Sequence, residues 1–303
     1  MPSYRKAFFV GKQCMETLTA VARMKHWSRS HRQAGKTVGF VPTMGYLHEG
    51  HLSLMRRGRS ENDLLVASIF VNPTQFGQNE DLDNYPRDSE ADLAKCAQVG
   101  VDAMFMPAAG DIYGPDFQTF VEVGNVARPL CGASRPGHFR GVATVVLKLF
   151  NVVSPTAAYF GRKDYQQLQV IKTMARDLDL DVTIVPCPTV REDDGLAMSS
   201  RNSYLSPRER QQTTCLYQAL QMAQGLLDRG EQDPKEYVKT MSDRIQREPD
   251  AQIDYVSLVH PETLQDLERV ADDALAVLAV RIGKTRLIDN MLLQSPTLKK
   301  DEA

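Results

Sequence analysis

Between residues 37 and 185 the chain alternates short apolar runs with stretches whose apolar side chains recur every three or four positions. The runs at 37–42, 64–71, 102–106, 157–160 and 182–185 have the length of buried strands. The stretches at 49–62, 89–99, 142–153 and 165–178 have helical spacing, and Gly100 supplies a stop for the second. Strand–helix alternation of this kind predicts an α/β fold: a parallel sheet with helices on both faces. Pro186 and Pro188 interrupt the pattern, and its character changes beyond them. Ser206-Pro-Arg-Glu209 reads as a capping box opening a long helix, and Asp233-Pro-Lys-Glu236 repeats the device. Two β-like runs follow, 253–259 and 274–280. The pattern therefore predicts two domains, 1–187 and a smaller α+β domain at 188–303.

Composition changes this picture little. Lys+Arg 36 against Asp+Glu 38 leaves a net charge of −2, which offers nothing to a nucleic-acid partner. No apolar run approaches the roughly 18 residues of a membrane span. Cys14, Cys96, Cys131, Cys187 and Cys215 are odd in number and scattered, so neither a disulfide scaffold nor a zinc ribbon is expected. A reducing, cytoplasmic setting fits them. Residues 1–36 carry eight Lys or Arg against the single acid Glu16. That stretch is read mainly as a surface helix leading into the first strand, with an organelle-targeting segment as the alternative for its first dozen residues. The tail at 299–303 is expected to fray.

The richest segment is Val-Pro-Thr-Met-Gly-Tyr-Leu-His-Glu-Gly-His (41–51), where a strand ends and a helix begins. Open α/β sheets bind ligands at that edge. Free N–H groups at a helix N-terminus attract phosphate, and Gly45 and Gly50 let the backbone come close. His48 and His51, three apart, share a face of the first turn. Zinc would want four-residue spacing and a third ligand nearby, so no metal site is expected. Two Gly-Lys-Thr tripeptides, at Gly35 and Gly283, lack the first glycine of a phosphate loop, since Ser30 and Leu278 stand there. No G-x-G-x-x-G follows a strand. Any nucleotide must be held another way.

Three further loops are polar: Asn72 to Gly77, Gly161 to Gln167, and Met198 to Asn202. Lys163, Ser199, Ser200 and Arg201 supply two cations and two hydroxyls, a plausible phosphate clamp. Taken singly, each suits a solvated surface or a helix-starting turn equally well. His138, in Arg-Pro-Gly-His-Phe-Arg (135–140), either admits substrate or belongs to a turn that starts the helix at Val142.

Together these segments resemble the pantothenate synthetase (pantoate–β-alanine ligase) family. The resemblance rests on Pro-Thr-Met-Gly-x-Leu-His-x-Gly-His (42–51), Ser-Ile-Phe-Val-Asn-Pro-x-Gln-Phe (68–76) and Tyr-Pro-Arg (85–87). It continues through Ser-Arg-Pro-Gly-His-Phe-Arg-Gly-Val (134–142), Phe-Gly-x-Lys-Asp-Tyr-Gln-Gln-Leu (160–168), Asp-Gly-Leu-Ala-Met-Ser-Ser-Arg-Asn (194–202) and Arg-Leu-Ile-Asp-Asn (286–290). These run in order from about residue 14 to 292.

The resemblance implies a Rossmann-like catalytic domain and a C-terminal lid domain, akin to nucleotidyltransferases related to class I aminoacyl-tRNA synthetases. In that comparison His48-Glu-Gly-His51 looks like the H-I-G-H signature, and Met198-Ser-Ser-Arg201 looks like the K-M-S-K-S loop. It implies condensation of pantoate with β-alanine, using ATP and Mg²⁺, through a pantoyl adenylate, by a cytoplasmic homodimer. Carried over by resemblance, His48, His51 and Lys163 are the catalytic residues. Met44, Gly161, Asp164, Val190, Met198, Ser199, Ser200 and Arg201 join them around ATP. Gln75, Gln167 and Asn72 would face the small substrates. Arg162 stands where the family usually has Glu or Gln, and Tyr46 replaces a smaller residue. The alternatives are an adenylyltransferase acting on a phosphorylated acceptor and, more remotely, a nucleotide-binding module without turnover.

Overall fold

The strands are the apolar runs, and their order explains why they are apolar. In the computed structural model, which describes residues 15–78, 80–270 and 273–294, six parallel strands form one sheet in the order β1-β4-β3-β2-β5-β6. They are β1 (Glu16–Leu18), β2 (Val38–Thr43), β3 (Leu64–Ile69), β4 (Ala103–Phe105), β5 (Ala157–Gly161) and β6 (Thr183–Cys187). The helices are α1 (Val21–Gln33), α2 (Glu49–Glu61), α3 (Ser89–Val99), α4 (Ala109–Ile112), α5 (Cys131–Ser134), α6 (His138–Val153), α7 (Tyr165–Asp177), α8 (Pro207–Gln212), α9 (Thr214–Asp228) and α10 (Pro234–Ile245). A second, antiparallel sheet joins β7 (Ala251–Val259), β8 (Asp273–Ile282) and β9 (Thr285–Gln294) in that order.

Alternation along the central strands gives the first sheet two apolar faces. Val41, Leu65, Ala67, Met104 and Tyr159 share a core with Leu54 and Met55 of α2 and Cys96 of α3. Phe40 and Phe160 meet Phe150 of α6 edge-on. α1 packs on α6 through its buried Met24, Trp27 and Ser28, while Arg23, Lys25 and Arg29 are exposed. The basic stretch is thus a surface helix from Val21 onward. The targeting alternative falls on the first dozen residues, outside the described chain, as does the tail at 299–303.

The chain divides into two compact units. The first comprises 1–124, 135–162 and 167–188; the second comprises 125–134, 163–166 and 189–303. Segments 125–134 and 163–166, left with the first domain by the sequence pattern, are in the second unit for a visible reason. One face of β7–β9 packs on α9 and α10. The other face, carrying Leu275 and Val277, packs against Val126, Leu130 and Tyr165. Gln166 staples this cover: its Nε2 donates to Val126 O (3.0 Å) and Pro129 O (2.7 Å), and its Oε1 accepts from Cys131 N (3.0 Å).

Four expectations need correction. α6 starts at His138 rather than Val142, because Gly137 takes a left-handed conformation (φ 83°) that turns the chain into the helix early. The helix opened by Ser206 breaks at Thr213, which closes α8 and begins α9. Asp233 caps α10 by accepting from Lys235 N (3.0 Å), the second residue of the helix, where a capping box uses the third. Pro186 does not end the last strand but lies within β6, where the sheet edge spares its missing N–H.

Candidate active site

The first unit builds its site where β2 ends. Thr43 Oγ1 donates to Ser68 O (2.7 Å) and accepts from Gly45 N (3.1 Å), tying the turn to β3. Gly45 (φ 85°) and Tyr46 (φ 51°) are both left-handed, so the chain reverses sharply before α2. His48 caps α2: its Nδ1 accepts from Gly50 N (3.2 Å), and His51 Nδ1 accepts from His48 N (3.3 Å). A backbone N–H can only donate. Each Nδ1 is therefore unprotonated, and the ring proton of each neutral imidazole lies on Nε2. The two rings lie 4.1 Å apart, tilted by 45°. A pair of imidazoles at a helix N-terminus, each with Nε2–H as its ring donor, suits an anion and not a cation.

The loop after β3 forms a second cluster. Residues Pro73–Gln75 make a single 3-10 turn capped by Asn72. Asn72 is buried and fully engaged. Its Nδ2 donates to Gln75 Oε1 (3.1 Å) and Gly141 O (3.2 Å), and its Oδ1 accepts from Tyr113 OH (2.8 Å). Gln75 Nε2 reaches Met44 Sδ (3.0 Å), so Met44, Asn72 and Gln75 are brought together. His138 holds the turn from α6. Arg135 Nη1 donates to its Nε2 (3.0 Å), which leaves Nδ1–H to donate to Gln75 O (2.9 Å). This ring has the opposite tautomer to His48 and His51. Arg135 also pairs with Glu80 (2.6 Å). Burial raises the Glu80 carboxyl, but the Arg135 guanidinium and the Gly77 N–H outweigh it and leave it below the usual range. Gly161 ends β5 opposite Cys187, and Gln167 is half-buried on α7.

The second unit holds the remaining expected residues. Lys163 and Asp164 follow Gly161 in another 3-10 turn, with Lys163 Nζ 3.5 Å from the Asp164 carboxylate. Val190 and Met198 face each other across a tight hairpin, Met198 N donating to Val190 O (3.0 Å). Arg210 braces this hairpin by bonding Glu192 and Asp194, each at 2.6 Å. Ser199 then caps the turn Ser200–Tyr204, its Oγ accepting from Arg201 N (3.3 Å). Lys163 and the Met198–Arg201 segment each rest on framework residues that pattern reading passed over. Asn290 Nδ2 donates to Lys163 O (2.8 Å). Asp289, buried in β9, takes a two-pronged bond from Arg191 (2.6 and 2.9 Å). Burial pushes the Asp289 carboxyl upward, and Arg191 pulls against it. The signal available was an acid and an amide inside an apolar strand. Asp92, buried on the helix α3, was also passed over, and it carries no such signal. The Gly-Lys-Thr tripeptides are plain turns: Gly35 (φ 76°) follows α1, and Gly283 (φ 57°) joins β8 to β9.

An open parallel sheet whose strand-end turn enters a helix through donor groups is the arrangement of a phosphate-binding α/β protein. The chain belongs to the pantoate-beta-alanine ligase family, whose model matches residues 16–292. It is 53% identical over 279 residues to a pantothenate synthetase from Thermotoga neapolitana, covering 92% of this chain and all of the relative. It is 55% identical to one from Geotalea uraniireducens, covering 92% and 99%. Among solved structures, pantothenate synthetase from Thermus thermophilus matches with a TM-score of 0.88 at 46% identity, over 92% of this chain and all of that one. The pantoate-beta-alanine ligase of Francisella tularensis, complexed with beta-gamma ATP and beta-alanine, matches at 0.76 and 35%, over 92% and 97%.

Proposed function

We propose that the protein condenses pantoate with β-alanine in two steps on one ATP. In the first, a pantoate carboxylate oxygen attacks the α-phosphorus, the bond to the bridging oxygen breaks, and pyrophosphate leaves. In the second, the β-alanine amine attacks the acyl carbon of the pantoyl adenylate, an amide forms, and AMP leaves. A carboxylate with a pKa near about 4 is already ionised at neutral pH, so the chemistry needs no base to make the first nucleophile. It needs stabilisation of charge on the phosphates.

The observation that carries this reading is the histidine pair, whose Nδ1 atoms accept backbone N–H groups and so commit Nε2–H to donation. His48 and His51 donate to the triphosphate, His51 being the proton donor. Lys163, Ser199, Ser200 and Arg201 grip the same phosphates, and Met198 supports that loop. Gly161 and Asp164 hold the ribose, with the backbone of Met44 and Val190 beside the nucleotide. Gln75 and Gln167 bind pantoate through neutral amides that leave its carboxylate nucleophilic, and Asn72 serves the same subsite. Mg²⁺ belongs to this reading as the cation that would neutralise charge on the triphosphate. The relative with beta-gamma ATP and beta-alanine supports the choice of substrates.

The same reading assigns the C-terminal domain, 188–303, the part of a lid, the molecule a homodimeric state, and the cell compartment as cytoplasm without a nucleic-acid partner. Among the described residues, no helix is long and apolar enough to cross a membrane.

AMP release measured with pantoate and β-alanine omitted in turn tests the reaction. Pyrophosphate release should require pantoate, and AMP release should require both substrates. An adenylyltransferase would instead accumulate an adenylylated product. His51→Ala and Lys163→Ala should each lower turnover about 100- to 1,000-fold, as loss of one transition-state donor does. Near-normal turnover in either variant would remove that residue from the site.

A further inference from the structure

Helix α3 takes no part in the chemistry above, yet two of its side chains grip the turn that presents the histidines. Asp92 is 1% exposed. Its Oδ2 accepts from Tyr46 N and its Oδ1 from Leu47 N, both at 2.7 Å. One helical turn on, Lys95 Nζ donates to Leu47 O at 2.6 Å. The carboxylate thus takes two successive N–H groups and the ammonium takes the carbonyl that follows, immediately before His48. Two consecutive left-handed residues make this possible. The turn they make aims the N–H groups of Tyr46 and Leu47 at the two oxygens of one carboxylate. A side chain at Gly45 would meet Asp92 Oδ2 at 3.1 Å and Ile69 Cγ2 at 2.9 Å, so the carboxylate fills the hollow of the turn.

We propose that Asp92 and Lys95 are positioning residues for the histidine pair: by fixing the peptide units at Tyr46 and Leu47 they set the direction and tautomer of His48 and His51. The argument is geometric. The bonds that assign the ring protons, 3.2 and 3.3 Å long, sit near the far end of the hydrogen-bond range. A small rotation of the turn breaks them, and the imidazole proton is then no longer held on Nε2. Charged partners suit such a brace, because their bonds to backbone are shorter and stronger than neutral ones. The catalytic consequence rests on the role proposed above for the two histidines.

The test reads ring state and turnover separately. Nitrogen NMR of the ligand-free protein, with His48→Gln and His51→Gln spectra to assign the rings, should show Nδ1 of both unprotonated and accepting. Asp92→Asn replaces one acceptor oxygen by an amide N–H facing another N–H. It should shift both ring signals toward mixed tautomers and lower kcat for AMP release at least about tenfold, with the KM for β-alanine unchanged. Lys95→Met should act in the same direction, and Lys95→Arg, which keeps a donor, should restore both readouts to within about threefold of the parent. Glu90→Gln, at an exposed position on the same helix, is the control. Where Asp92→Asn fails to fold, Lys95→Met carries the test. Unchanged ring signals in the folded variants overturn the proposal. Shifted ring signals with full turnover uphold the positioning and overturn the catalytic role of the histidines instead.

Discussion

Gly141 shows how closely single residues are constrained around the site. It lies within α6, where a Cβ would fall 2.3 Å from Thr74 O and 2.7 Å from Gln75 N. Alanine is the better helix former by about 1 kcal/mol, but here it would drive into the backbone of the turn carrying Gln75. Overpacking of that kind costs about 1–3 kcal/mol. Gly141→Ala should therefore lower the urea midpoint despite its propensity and raise the KM for pantoate, while Gly110→Ala, with open space around it, should do neither. The sequence pattern marked His48 and His51 because they stand at a strand–helix junction. It left Asp92 unmarked, and Gly141 and Asp289 stood only inside longer resembling segments (134–142 and 286–290) with no role of their own, because their importance arises from neighbours far along the chain. A glycine in a helix and an acid on a helix are ordinary until the partner is known.

At the level of elements, the buried strands and the helix ending at Gly100 were legible because apolar period and stop signal coincide. β1 and β9 were not. β1 is three residues long and buries Leu18 alone, while Asp289 and Asn290 interrupt the alternation of β9. Those two residues bond Arg191 and the Lys163 carbonyl, so polar anchoring hid the strand. The loop 72–80 and the start of α6 offer a test through pH. Glu80 has its pKa lowered in the folded protein from the ordinary 4.5. In the window between the two values the unfolded chain binds more protons, so stability rises with pH there. The contribution is full above about pH 5 and is lost as pH falls through the folded value. Chemical unfolding at stepped pH should show this loss in the parent and a shallower one in Glu80→Gln, which cannot titrate. Equal slopes would mean that the Arg135 pair contributes nothing.

For the molecule as a whole, the cysteines report on packing. Cys96, Cys131, Cys187 and Cys215 are all buried and unpaired with one another. Burial pushes the thiols of Cys96 and Cys215 up to about 12, where almost no thiolate exists at neutral pH. Iodoacetamide at pH 7.5 should leave these four unlabelled in the native protein and modify them in urea, as mass mapping of peptides would show. Rapid native labelling of any of the four would mean that its core opens readily. Alternation, and its change of character beyond Pro188, were enough to forecast a parallel α/β sheet followed by smaller α+β structure. They could not forecast that the chain passes from one unit to the other at 124/125, 134/135, 162/163, 166/167 and again at 188/189. That threading has a practical side. A protein cut once at 188/189 yields no fragment equal to either unit, because the N-terminal piece keeps the cover of the small sheet. A chimaera joined there would set one parent's Val126, Leu130 and Tyr165 against the other parent's β7 and β8. The exchangeable module is therefore not a length of sequence but a set of three segments that must be swapped together.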